Sequence, residues 1–209
     1  MDIYNLVRKL EGIQNIESVM SILKIKKSTA IKLISLLRKT GYVKTKQTSK
    51  KKRVYYISMQ NKIGGKSYYD IINNYSPIKL SESEIYKIYG REPSLEETLI
   101  YAIKTKKLRV ISASLSLFKH INNWTLLYGL AKKNQAERKV GALYDLSRKF
   151  VKTRSMSKKF RSNSLPSKGD KYVYIIDGLE SENFKEIEKT WKVYIPFNLI
   201  DLEEYKIKK

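Results

Sequence analysis

The chain of 209 residues contains no cysteine. That excludes structural disulfides and thiolate metal sites, and it leaves the redox compartment undetermined. It has one histidine, His120, so a histidine-based catalytic dyad or metal cluster has no second member. No apolar run approaches the length of a membrane span and no positive-apolar-small signal pattern opens the chain, from which a cytoplasmic location is expected. A Gly-rich phosphate loop is also missing, because Gly64-Gly65 has neither the spacing nor the strand-to-helix setting of one. Acids are scarce: 20 Asp and Glu stand against 43 Lys and Arg, a formal balance of +23. A surface adapted to heat pairs its lysines with glutamates, so this imbalance points instead to a polyanionic partner, nucleic acid above all.

The excess charge is unevenly placed. Residues 1–60 hold fourteen Lys and Arg against three acids, and residues 137–172 hold eleven against three; residues 173–209 are mildly acidic. With 42% apolar residues and 16 tyrosines there is material for one large or two small cores, and the order of the motifs favours two.

In the first cationic region, Asp2 starts a helix with Ile3, Leu6, Val7 and Leu10 on one face, ending at Gly12. A second short helix carries Ile16, Val19, Met20 and Leu23. The tripeptide Lys24-Ile25-Lys26 then turns the chain into a third helix with Ala30, Ile34 and Leu37 at core spacing. Gly41 suits the left-handed residue that closes a helix. Two strands are predicted next, Tyr42 to Thr45 and Val54 to Met59, around a cationic insert from Lys46 to Arg53. Ile31, Leu33 and Leu36 make the third helix apolar on more than one side, which fits extra burial against the first helix or a subunit contact, burial being the commoner reason.

Residues 61–92 read as a connector with one short apolar element around Tyr68 to Tyr75. The second half opens at Ser94 and Glu97, which have capping-box spacing. Helices are predicted near 95–105, 107–119, 123–134 and 136–152. Met156 to Asp170 reads as a loop. Lys171 to Ile176 and Val193 to Phe197 read as strands flanking a helix that Ser181 begins and that carries Phe184, Ile187 and Trp191; such a unit favours parallel pairing. A terminal helix is expected over 199–207.

Ile25-Lys26-Lys27-Ser28-Thr29-Ala30 together with Leu37-Arg38-Lys39-Thr40-Gly41-Tyr42-Val43 resembles the winged helix-turn-helix transcriptional regulators. Lys26 departs from the pattern, since that position usually holds a Ser or Thr that caps the second helix, and a lysine accepts no hydrogen bond. Pro93 through Leu99, Trp124 through Leu127 and Glu137 through Leu143 resemble the helical half of abortive-infection type antitoxins. That resemblance implies a protein partner, repression of the protein's own operon, and no catalytic residues in this chain.

The expected fold class is α+β, mainly α: a winged helix-turn-helix over 1–60, a connector over 61–92, and an α-rich effector and dimerisation domain over 93–209 ending in a small β-α-β unit. The expected function is binding of double-stranded DNA in transcriptional regulation, as a homodimer. Two alternatives remain open: an antitoxin-like component engaging a protein partner, and an architectural protein that coats DNA. The DNA-contacting residues are expected to be Lys27, Ser28, Thr29 and Lys32 at the start of the recognition helix over 27–39, with Lys46, Gln47, Lys50, Lys51, Lys52 and Arg53 in the wing. Ser and Thr discriminate bases poorly and Lys acts as a point charge, so base readout should be modest beside the electrostatic attraction. Arg148, Lys152, Arg154, Lys158, Lys159 and Arg161 form a candidate second nucleic-acid contact. Asp177, Glu180 and Glu182 after a strand raise a metal-dependent nuclease as a reading, but acids at a helix start with Ser181 as cap explain them better, and neither catalysis, metal nor cofactor is expected.

Overall fold

The computed structural model describes residues 2–48, 52–59, 61, 65–81, 87–88 and 91–205. The chain is α+β and mainly helical, and it divides into two compact units: Met1–Ser67 with Ile85–Glu92, and Tyr68–Glu84 with Pro93–Lys209. Among the described residues no helix is long and apolar enough to cross a membrane.

The first unit has α1 (Ile3–Leu10), β1 (Gly12–Gln14), α2 (Ile16–Leu23), α3 (Lys27–Lys39), β2 (Val43–Gln47) and β3 (Arg53–Ile57). Local chemistry fixes the helix ends. The Asp2 carboxylate accepts the Tyr4 N–H, and Asn15 and Ser18 form a reciprocal capping box on α2. Gly41 sits at φ +93°, with its N–H on the Arg38 carbonyl and the Tyr42 N–H on the Leu37 carbonyl, the paired bonds of a Schellman ending. Leu6, Val7, Leu10, Val19, Ala30, Ile34, Leu37, Tyr42, Val43 and Ile57 are buried together. β1 was not foreseen: it pairs antiparallel with β3, which lies between β1 and β2. Three residues with Gly12 at φ +108° carry too little pattern to read as a strand; the free edge of β3 recruits them. Leu33 packs partly against the core, whereas Ile31 (50% exposed) and Leu36 (43%) do not share the expected burial, because α2 and β2 cover only one side of α3.

The second unit holds α4 (Tyr68–Tyr75), α5 (Leu95–Thr105), α6 (Leu108–Ser114) with a 3-10 turn over Leu115–Lys119, α7 (Trp124–Lys133), α8 (Glu137–Ser147), α9 (Lys158–Ser164), β4 (Val173–Tyr174), α10 (Lys185–Trp191), β5 (Val193–Tyr194) and a 3-10 turn over Ile200–Tyr205. β4 and β5 pair in parallel, as expected of a strand-helix-strand unit. The Ser94–Glu97 capping box is present in both directions. Much of the expected connector is core: Ile72, Ile78 and Leu80 are buried with the α5–α8 cluster, and the Asn73 side-chain amide bonds both the N–H and the carbonyl of Leu80.

Three further expectations are corrected. α8 ends at Ser147 rather than near 152, and the phenol of Tyr144 anchors the chain beyond it, donating to the Arg154 carbonyl and accepting the Met156 N–H. The expected loop 156–170 contains α9, capped by Ser157 and held by Phe160, which packs edge-on to Trp124 and Tyr128. Ser181 does not cap α10, which starts four residues later with Phe184 at its N-cap; the Ser181 hydroxyl instead lies between Asn198 and the Asn183 N–H.

At the centre of this unit Trp191 is fully buried against Gly141, where an added Cβ would lie 2.3 Å from the indole ring. The indole N–H donates to Asp145 at 2.8 Å, and both Asp145 oxygens accept from Arg161 at 3.1 and 3.2 Å. α8, α9 and α10 are thereby locked by one carboxylate.

Candidate nucleic-acid interface

α3 points three buried residues, Ala30, Ile34 and Leu37, at the first core. At about 100° per residue, the face opposite them carries Ser28, Lys32, Ser35 and Lys39. Ser28, Lys32 and Lys39 are exposed. The expected contact residues are therefore not on one stripe. Lys27 lies about 140° round the helix from Lys32, on the flank of Ile31 and Arg38, and Thr29 lies on the other flank with Leu36. Lys39 lies outside the expected contact set, yet the spacing of residues 28, 32, 35 and 39 is itself a helical stripe that the sequence displays.

The start of α3 is unusually positive. Lys26 occupies the N-cap in extended conformation with no side-chain cap bond, and Lys24 takes the left-handed conformation (φ 52°) that ends α2. With Lys27, three lysines lie within four residues at the positive end of a thirteen-residue helix, where the dipole disfavours cations and favours anions.

The hairpin extends further than expected, so Lys46, Gln47 and Arg53 stand on strands rather than in a loop. Lys46 pairs with Val54 and Gln47 with Arg53. Val43 and Ile57 face the core, so alternation puts Lys44, Lys46, Val54 and Tyr56 on the opposite face. There the Lys46 ammonium lies 5.4 Å from the centre of the Tyr56 ring, which holds the cation at the surface without neutralising it. The Lys52 carbonyl accepts both the Thr48 N–H and its hydroxyl, closing the turn. Lys50 and Lys51 lie outside the described residues.

Across residues 2–59, no described Lys or Arg forms an ion pair. Lys46, Gln47, Lys52 and Arg53 are all exposed.

The second cationic segment behaves differently. Arg161 is engaged within the fold by Asp145 and lies over the Trp191 ring at 5.3 Å. Arg154 donates to the Asn122 side chain, Arg148 lies over the Tyr144 ring, and Lys152 lines a separate cavity. Only Lys158 and Lys159 share one short exposed turn, at the start of α9. Arg148 and Arg161 line one further cavity together with Lys149. Of the carboxylates after β4, Asp177 pairs with Lys106, whose hydrogen bond and charge hold its carboxyl below the usual range, and Glu182 pairs with Lys185.

No protein-family model matches the chain, and no curated protein or solved structure matches it either.

Proposed function

We propose that the first unit is a winged helix-turn-helix that binds double-stranded DNA, and that the protein is a transcriptional regulator. α2 and α3 serve as the helix-turn-helix pair, with α3 as the recognition helix and the β2–β3 hairpin as the wing. The observation that carries this reading is the set of exposed cations on α3 and the hairpin, none of them in an ion pair among the described residues. Charges left unpaired on one small module are compensated by a polyanion, and binding then releases that polyanion's counterions.

In such modules the first turn of the recognition helix faces base edges in the major groove. Here that turn offers Lys27, Ser28 and Thr29, followed by Lys32 and Lys39 along the outward stripe. None of these residues makes the bidentate contacts that Arg, Asn and Gln make, so affinity is dominated by phosphate and discrimination is modest. Gln47 at the end of the hairpin is the side chain best suited to an edge contact. A homodimer belongs to this reading, because limited readout per half-site is compensated by binding two.

The test is a titration of the protein against the duplex upstream of its own gene and against a scrambled duplex, at several salt concentrations. With six or so cations on phosphates, affinity falls about a thousandfold between 50 and 200 mM salt. A preference of about a hundredfold for the upstream duplex that survives moderate salt supports an operator-specific regulator. Equal and steeply salt-dependent binding to both replaces it with an architectural role. No binding at low salt overturns DNA binding and leaves the antitoxin-like protein partner.

A further inference from the structure

The second unit carries a cavity of about 600 Å³, formed by the end of α4, the 3-10 turn after α6 and the segment that follows α8. Small-molecule sites span roughly 300–1,000 Å³. Three lysines from three separate segments line it, Lys79, Lys119 and Lys152. No Asp or Glu is among the described residues that line it, and neither Lys119 nor Lys152 is in an ion pair. Lys79 is directed by a bond from its ammonium to the Asn73 carbonyl. Gathering three like charges around a concave surface with no carboxylate is unfavourable until an anion joins them.

The remaining wall is aromatic. Tyr75 stands 41% exposed with its ring 4.6 Å from the imidazole of His120, and Phe150 adds a second ring. Burial first, then the charges of Lys119 and Arg154, hold the His120 pKa below its ordinary value, so this ring is neutral near pH 7 and offers a stacking face rather than a fourth cation. The wall suits a planar ring and the lysines suit phosphate.

We propose that this cavity binds a nucleoside phosphate: an anion of two phosphoryl groups or fewer on Lys79, Lys119 and Lys152, with its base against Tyr75 and His120. The site lies wholly within the second unit and is independent of DNA contact by the first.

Calorimetry of the full chain with ADP, inorganic phosphate and adenosine, at 150 mM salt to suppress diffuse attraction to a +23 protein, tests it. ADP should bind one to one, at least tenfold more tightly than inorganic phosphate or adenosine. The double variant K119A/K152A should weaken ADP at least tenfold with an unchanged melting temperature, since both side chains are exposed. Y75A should weaken ADP but not phosphate. The variant K32E/R53E, which reverses charge on the first unit, should leave ADP binding intact. The assignment is overturned by non-saturating or multi-site ADP binding, by equal affinity for ADP and phosphate, or by a loss in K32E/R53E that matches the loss in K119A/K152A.

Discussion

The two units distribute charge differently. Among the described residues the first buries ten apolar side chains and has no ion pair on any Lys or Arg between residues 2 and 59, with Lys66 paired to Glu92 beyond them; the second buries thirty-four and ties cations to sheltered carboxylates, Arg161 on Asp145 and Lys185 on Glu188. A small core held by helix caps and a three-stranded sheet leaves most of its surface free for contact. A large core with buried polar atoms must instead satisfy them internally, as Glu188 does by accepting from the Ile195 N–H at 2.7 Å. A high net charge therefore has different meanings in the two places, outward availability in one and a mixture of structural ties and surface in the other.

The contrast breaks most sharply through the cores. Leu37→Ala removes a fully buried side chain from a core of ten and should destabilise the first unit by about 3 kcal/mol. Gly141→Ala forces a methyl group into the Trp191 ring and should destabilise the second by a similar about 3 kcal/mol, since the indole is pinned by Asp145 and cannot retreat. Amide hydrogen exchange assigns each effect: Leu37→Ala should expose α1 to α3 and abolish duplex binding, whereas Gly141→Ala should expose α8 and α10. Loss of protection across both units in either variant would mean that they unfold as one.

A smaller effect sharpens the charge comparison. Reversing Lys32 and Lys39 together should weaken duplex binding at least about tenfold and lower the salt slope by about 2, whereas Asp145→Asn should lower thermal stability without changing duplex affinity. Equal loss from both would remove the functional distinction between paired and unpaired cations.

The smallest effect is alkaline. Burial pushes the Tyr205 phenol up to about 12, while its hydroxyl donates to the Ser112 and Ala113 carbonyls. An unfolded tyrosine ionises near 10. The folded chain thus keeps a proton that the unfolded chain loses, so this contribution is full below pH 10 and disappears as pH rises to about 12. Tyr205→Phe should cost about 1 kcal/mol at neutral pH and flatten the stability profile over that window, measured by denaturant unfolding.

Where structure follows from near neighbours, it was legible in the residues. The Asp2 cap, the Ser94–Glu97 box, the Gly41 ending, the Ala30–Ile34–Leu37 stripe and the parallel pairing of β4 with β5 all depend on spacing within a few residues or on one short crossover. The stripe through Lys32 and Lys39 is equally legible, since residues 28, 32, 35 and 39 repeat at helical spacing.

The sequence by itself determined the strong cationic balance, most helix positions and the order of helix, turn, helix and hairpin, because caps and periodicity act through neighbouring atoms. Only the tertiary structure decided that Gly12–Gln14 becomes a strand, that α9 forms within a polar stretch, that Arg161 serves Asp145 rather than a surface, and that Lys79, Lys119 and Lys152 meet at one cavity. Each of these depends on groups far apart in the chain, whose attraction or burial exists only once the fold has brought them together.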